Sequence, residues 1–105
     1  MNEQQKTRIA NYLGIAQKAG RIAAGDASAK EALLKKRGFL LVLAEDASVQ
    51  VKKELLALAG EMPVLTWPDK VSLGYLLGKS RRGAVVVLDQ GFANAILKVL
   101  AVQTD

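Results

Sequence analysis

The stretch GFLLVLAED, residues 38–46, decides the fold of this chain. Its central residues Phe39–Ala44 are all apolar, and they lie between Gly38 and the acidic pair Glu45-Asp46. An apolar run of this length is too short for a stand-alone helix and is typical of a strand that is buried on both faces of its sheet. The stretch therefore predicts a central strand with helices packed on both sides.

The residues before this strand predict two helices separated by a short extended segment. The first helix covers residues 4–19 and ends at Gly20, residues 21–24 are extended, and the second helix begins at Gly25-Asp26 and is closed by Gly38. The first helix has one apolar face, formed by Ile9, Leu13 and Ala16. The second has an amphipathic run at Ala29, Ala32, Leu33 and Lys36.

The residues after the strand predict three more helices, each beginning at a residue that caps helices well: Ser48, Asp69 and Asp89. Gly60 and Gly78 end the first two of these helices. Two further strands are predicted at Val64–Trp67 and Ala84–Leu88. The alternation α-β-α-β-α-β-α-β-α, with fully apolar strands, predicts one α/β domain over residues 1–105 that folds as a three-layer α/β/α sandwich around a largely parallel sheet.

Charge and composition limit the possible functions. The net charge is +5, and residues 1–53 carry ten Lys/Arg against five Asp/Glu, whereas residues 54–105 carry five of each. An excess of positive charge in one half of the chain is typical of a protein with a polyanionic partner. The alternative is that the charge serves solubility alone.

The chain contains neither cysteine nor histidine, which excludes disulfides, thiolate nucleophiles and Cys-ligated zinc and removes the commonest general base. Its apolar runs fall short of the roughly 18 to 20 residues of a membrane span, and its N-terminus lacks the apolar region of a signal peptide. We therefore expect a cytoplasmic protein without enzymatic activity, cofactor, metal or membrane partner.

The segment Lys18–Lys30 (KAGRIAAGDASAK) places a glycine turn and the start of a helix beside several cations. A helix N-terminus offers unpaired N–H groups and the positive end of the helix dipole, so it is a good phosphate site. Asp26 favours the alternative of an ordinary capped helix, because its carboxylate could accept hydrogen bonds from the same amides. The pattern leaves both interpretations open.

A second cationic segment, Gly78–Gly83 (GKSRRG), places three cations between two glycines, where the backbone can follow a partner closely. Its alternative is a solvated turn. The run Lys35-Lys36-Arg37 is explained by the dipole at the end of the second helix, and we interpret Glu45-Asp46 as loop and helix-start residues. The aromatic residues are too scattered for a base-stacking platform and are expected in the core or at its edge: Tyr12, Phe39, Trp67, Tyr75 and Phe92.

Several segments in this order resemble the ribosomal protein L7Ae/L30e family: Lys18–Gly38, Phe39–Ala47, Val71–Gly74 and Ala84–Leu88. The resemblance covers nearly the whole chain, and Thr66–Gly78 and Asp89–Asn94 are similar to small bacterial members. The resemblance implies a three-layer α/β/α sandwich with a four-stranded mixed sheet, which amends the largely parallel sheet. It also implies binding of kink-turn or related RNA by the start of helix two and the loop before the last strand.

Carried over by position, Gly25 matches the glycine at the family's helix start, but the neighbouring residues depart from the family pattern. Ala27 and Ser28 stand where the family usually has Asn or Lys and Glu or Gln, and Glu31 stands where a lysine is typical, with Lys30 one residue away. The loop Gly78–Gly83 is cationic, where family members commonly offer a small apolar loop. These departures imply fewer hydrogen bonds to base edges and more contacts to phosphates.

The sequence thus predicts a protein that binds structured RNA, such as ribosomal RNA or the RNA of a ribonucleoprotein. The expected RNA-binding residues are Arg21, Gly25, Asp26, Ala27, Ser28, Lys30, Lys79, Ser80, Arg81 and Arg82. The alternative is a protein-interaction module of the translation or transcription machinery that keeps the fold but has lost kink-turn recognition.

Overall fold

A computed structural model describes residues 1–102 of the chain. Helices and strands alternate along these residues as the sequence predicts, although several bounds differ. In chain order the elements are α1 Glu3–Lys18, β1 Ile22–Ala24, α2 Asp26–Leu34, β2 Leu40–Ala44, α3 Val49–Ala59, β3 Val64–Trp67, α4 Lys70–Leu76, β4 Ala84–Val87 and α5 Gln90–Ala101.

The four strands form one mixed sheet in the order β1-β4-β2-β3. Strands β2 and β3 are parallel, and β4 runs antiparallel to both of its neighbours, β1 and β2. The largely parallel sheet predicted from the apolar strands is therefore wrong, and the mixed sheet implied by the family resemblance is confirmed. Helices on both faces bury a central strand whatever its direction, so burial alone could not show that β4 is antiparallel.

Alternating residues of the strands supply two separate cores, one on each face of the sheet. Leu40, Val42, Val85 and Val87 face one side, where α1, α4 and α5 contribute Ile9, Leu73 and Ile96. The opposite side of the sheet packs against α2 and α3, and its core is formed by Ala29, Ala32, Leu33, Leu41, Leu43, Leu55, Ala84 and Val86. The predicted three-layer α/β/α arrangement is confirmed.

The helix caps follow the sequence closely, with one exception in α2. Side chains of Ser48, Asp69 and Asp89 accept hydrogen bonds from the first turns of α3, α4 and α5 as predicted. Helix α2 ends at Leu34 and does not continue to Gly38. Lys36, predicted within the amphipathic run of this helix, lies beyond its end and has a positive φ of 55°, which turns the chain out of the helix.

Gly38 has a packing role in place of the predicted closing role. A Cβ at this position would lie 2.5 Å from Cγ1 of Val86, so the glycine lets the chain pass close beneath the sheet before β2 begins. None of the helices formed by residues 1–102 has both the length and the apolar character needed to cross a membrane.

Candidate nucleic-acid interface

The start of α2 is an open helix end held in place by the sheet. Gly25 precedes the helix with φ 108° and ψ 160°, a conformation nearly restricted to glycine, and its N–H donates to Ala84 O at 2.8 Å. Within the described chain no side chain caps this helix end. Asp26 does not satisfy the amides of its own helix, so the first turn keeps the free N–H groups that an anion could use.

The pairing of β1 with β4 brings this helix start beside the loop before β4. Ala24 is paired with Val85, so the residues that follow β1 meet those that precede β4. The side chain of Arg82 runs over Gly25, and its Cδ would be 3.7 Å from a Cβ placed there. Likewise, Asp26 Oδ1 would lie 3.1 Å from a Cβ placed on Gly83. The two cationic segments predicted separately thus form one surface.

The loop 78–83 is fastened to α4 and is not merely a solvated turn. Lys79 N–H donates to Gly74 O at 2.9 Å, and Arg82 N–H donates to Lys70 O at 3.0 Å. A Cβ on Gly74 would lie 2.6 Å from the carbonyl carbon of Ser80 and still closer to its oxygen, so only glycine lets the loop pack this tightly on the helix.

The guanidinium of Arg82 further orders the loop from within. Its Nη1 donates to Ser80 Oγ at 3.0 Å, to Ser80 O at 3.2 Å and to Arg81 O at 3.1 Å. Ser80 therefore orients Arg82, and it does not itself line the groove described next.

The helix start and the loop enclose an open groove of about 480 Å³. We call it the Gly25 groove, and its lining residues include Gly25, Asp26, Ala27, Ser28, Lys70, Arg81 and Arg82. A second groove of about 340 Å³, the β1 groove, runs along the edge strand and is lined by Ser28, Lys79 and Arg37 among others. Ala24 and Ser28 line both, so the two grooves adjoin.

Besides Ser80, two predicted residues lie away from both the Gly25 groove and the β1 groove. Lys30 Nζ is 2.7 Å from Glu54 Oε1 on α3, with the two side chains 50% and 41% exposed. Arg21 stands at the opposite end of β1, where its carbonyl accepts a hydrogen bond from Leu88 N–H. Neither residue lines the Gly25 groove or the β1 groove.

Lys70 and Arg37 were missed by the sequence analysis. Lys70 is the first residue of α4, and its N–H donates to Asp46 Oδ1 at 2.8 Å. Asp46 was predicted as a helix-start residue. It has this role at the start of α4, and not at the start of α3, which follows Asp46 in the chain. A single lysine after an N-cap carries no sequence signal for binding. Arg37 lay in a basic run that the helix dipole already explained.

The cations of the grooves are free of carboxylate partners. Residues 1–102 form three salt bridges, Glu3–Lys6, Lys30–Glu54 and Glu31–Lys35, and none of them uses Lys70, Lys79, Arg81 or Arg82. Glu31 lines the β1 groove, and the hydrogen bond and charge of Lys35 at 2.8 Å lower the pKa of Glu31. Glu31 therefore keeps its negative charge, which the neighbouring Lys35 balances. In the Gly25 groove, the carboxylate among the lining residues is that of Asp26.

The aromatic residues divide into buried and exposed ones. Trp67 belongs to the core at 3% exposure, and its Nε1–H donates to Ser72 Oγ at 3.1 Å. Tyr75 is 84% exposed, so the expectation that it lies in or at the core is wrong. In α4, Leu73 and Gly74 are buried, whereas the next residue, Tyr75, lies on the exposed side of the helix.

Comparison with known proteins relates this fold to a family. The model of the ribosomal protein L7Ae/L30e/S12e/Gadd45 family matches residues 7–97. RNA-binding protein YlxQ from Bacillus subtilis (strain 168) is 31% identical over 90 residues, which cover 84% of this chain and 90% of YlxQ.

Two solved structures resemble the chain in fold. A protein of unknown function from Bacillus halodurans has a TM-score of 0.83 and 27% identity, covering 90% of this chain and 98% of that one. The 15.5kD RNA-binding protein of Giardia lamblia has a TM-score of 0.76 at 20% identity, covering 96% and 88% of the two chains, a likeness of fold alone.

Proposed function

Because the chain belongs to the ribosomal protein L7Ae/L30e/S12e/Gadd45 family, we propose that it is a non-enzymatic RNA-binding protein of the cytoplasm. It binds structured RNA of the kink-turn type, such as a bent element of ribosomal RNA or of a ribonucleoprotein. The observation that carries the proposal is the Gly25 groove, where an uncapped helix start meets cations that form no salt bridge within residues 1–102. The name of the relative YlxQ, an RNA-binding protein, supports the same class of ligand.

The groove would bind RNA mainly through its phosphates. A phosphate in the groove accepts hydrogen bonds from the free amides at the start of α2, and Gly25 allows the RNA backbone to approach them closely. Lys70 and Arg81 neutralise the charge, and Arg82 does so from a position that Ser80 holds fixed. Lys79 continues this positive surface into the β1 groove.

Sequence discrimination through this site would be weak. Ala27 has no hydrogen-bonding side chain, and Ser28 offers only a short hydroxyl, so base edges receive few direct contacts. Selectivity then comes from the bent shape of the RNA, which aligns its phosphates with the two segments. Arg21 and Lys30 contribute long-range attraction and no direct contact in the groove.

Binding of a kink-turn RNA and of a regular duplex of equal length, measured by fluorescence anisotropy across a salt series, tests the proposal. We expect tighter binding of the kink-turn RNA and a log–log salt slope of about −3 to −4.5, as for about five phosphate contacts. Equal affinity for the two RNAs would refute shape recognition. Binding that does not respond to salt would refute the phosphate mechanism.

A second candidate function is a protein-interaction module that has lost kink-turn recognition, and Ala27, Ser28 and the Glu31–Lys35 ion pair favour it. The two candidates differ in what nuclease treatment does to partners captured from a cell extract. Partners retained after RNA digestion, together with no RNA bound before digestion, would favour the module. Partners lost with the RNA would favour the RNA-binding function.

A further inference from the structure

An exposed aromatic ring stands over a third groove, outside the surface described so far. The groove lies between α1 and the end of α4, has a volume of about 860 Å³, and is lined by Gly14, Ile15, Lys18, Tyr75 and Gly78 among others. We call it the Tyr75 groove. Tyr75 is 84% exposed and Ile15 is 54% exposed, so a planar apolar surface here is left open to solvent.

The groove owes its openness to glycine. A Cβ on Gly14 would meet only Leu76 O, at 3.7 Å, and a Cβ on Gly78 would meet nothing within 4 Å. Two of the positions that line the groove therefore carry no side chain. A flat ligand can reach the ring face without displacing the protein.

The charge of this groove suits a polyanion. Among the residues that line it in the described chain there is no Asp or Glu, and Lys18 at the end of α1 carries its charge without a salt bridge. Lys79 follows Gly78 directly and lines the neighbouring β1 groove. An exposed aromatic ring with a lysine and no carboxylate in its groove suits an unpaired nucleotide, with its base on the ring and its phosphate beside the lysine.

The three grooves form one continuous track. Gln17 lines both the Tyr75 groove and the β1 groove, and Ser28 lines both the β1 groove and the Gly25 groove. A strand that leaves the RNA bound at Gly25 can therefore run along the edge strand to Tyr75. The described molecule measures only 36 × 26 × 25 Å, so a few nucleotides are enough to span this distance.

We propose that Tyr75 stacks on a base of an unpaired RNA segment that flanks the structured element, with Lys18 and Lys79 contacting its phosphates. The inference rests on the proposed function, because it extends the same RNA along the surface. A protein partner would also be attracted to exposed apolar residues, but RNA is favoured because no carboxylate is among the described residues that line the groove and because the groove adjoins the cationic β1 groove.

The test compares a kink-turn RNA with the same RNA carrying an unpaired extension of about six nucleotides at either end. In the wild-type protein one of the two extensions should increase affinity by about 5- to 150-fold, the range for one stacked base. Tyr75→Ala should abolish that gain without changing the affinity for the RNA that has no extension, and Tyr75→Phe should keep most of it. Val71→Ala is the matched control, since Val71 is exposed on α4 but does not line the groove.

A fluorescent base analogue, 2-aminopurine, placed in turn at each position of the extension provides a readout of stacking. Quenching at one position that Tyr75→Ala removes supports the inference. An affinity gain or quenching that survives Tyr75→Ala overturns it and assigns the exposed ring to a protein partner.

The extension alone, tested as a single strand, separates this inference from the proposed function. Quenching that depends on Tyr75 in the single strand supports stacking even if the kink-turn RNA does not bind, which would refute only the proposed function. Binding of the kink-turn RNA without any effect of either extension refutes only the inference.

Discussion

Replacing Gly74 with alanine tests how the loop 78–83 is held against α4. Ordinary contact begins near 3.4 Å, whereas the new Cβ would lie 2.6 Å from the Ser80 carbonyl carbon and 3.0 Å from Arg81 Cα. The carbonyl oxygen of Ser80 would be closer still, so the loop must retreat by more than about 1 Å, because these backbone atoms cannot rotate away. Such a shift moves Arg81 and Arg82 together and strains the Lys79 N–H to Gly74 O hydrogen bond.

The expected loss of stability follows from opposing contributions. Overpacking of this kind costs about 1–3 kcal/mol, and a weakened backbone hydrogen bond costs up to about 1 kcal/mol more. Alanine in place of glycine inside a helix returns about 1 kcal/mol. These contributions together lower the free energy of unfolding of Gly74→Ala by up to about 3 kcal/mol, with a central value of about 1.5 kcal/mol.

Gly14→Ala is the matched control, since Gly14 is also inside a helix and its Cβ would meet Leu76 O at an ordinary 3.7 Å. It should raise the free energy of unfolding by up to about 1 kcal/mol. Urea unfolding followed by the fluorescence of the buried Trp67 measures both variants, and the affinity for kink-turn RNA without an unpaired extension should fall for Gly74→Ala alone. Equal stability of the two variants would refute the packing argument.

Three further predictions concern single residues. Gly25→Ala should lower the free energy of urea unfolding by about 1–3 kcal/mol, because alanine is strained at a φ of 108°. It should also weaken RNA binding. Unchanged stability and RNA affinity would contradict the role of Gly25 at the start of α2. Ser28→Asn should add a base-edge contact and so widen the affinity gap between kink-turn RNAs of different sequence in a binding panel, whereas a uniform change across the panel would argue against it. The N–H of Ser72 lowers the pKa of Asp69, so the wild-type protein loses stability as the pH falls through the folded-state pKa of this carboxyl. Asp69→Asn keeps a capping oxygen without the titration, and its urea midpoint should depend less on pH between about pH 5 and pH 2 than that of the wild type.

Features that depend on local sequence could be predicted. The apolar stretch Phe39–Ala44 contains β2, and Asp69 caps α4 as its position indicated. The direction of β4 could not be predicted, because a strand covered on both faces is apolar whichever way it runs. The end of α2 was placed too late because Lys36 adopts a positive φ that lysine rarely takes.

The candidate site was predictable in its two segments but not in its composition. Gly25 and Arg82 were expected on one face through the family resemblance, and in the structure both line the Gly25 groove. Lys70 lines the same groove because tertiary packing brings the start of α4 there. Lys30 does not line the groove and forms a salt bridge with Glu54 on α3. The exposure of Tyr75 could not be predicted either, because an aromatic residue next to apolar ones in a helix is usually part of the core.

RNA binding by Arg81→Ala/Arg82→Ala, measured against a control with the same loss of charge, tests the central claim most directly. Lys53→Ala/Lys98→Ala is that control, since both lysines are exposed, form no salt bridge within residues 1–102 and lie outside the Gly25 groove. We predict that the arginine variant loses at least about tenfold in affinity for kink-turn RNA and that its log–log salt slope is smaller by about 1 to 2, while the control changes little. Equal losses in the two variants would show that net charge alone attracts the RNA and would contradict an interface at the Gly25 groove.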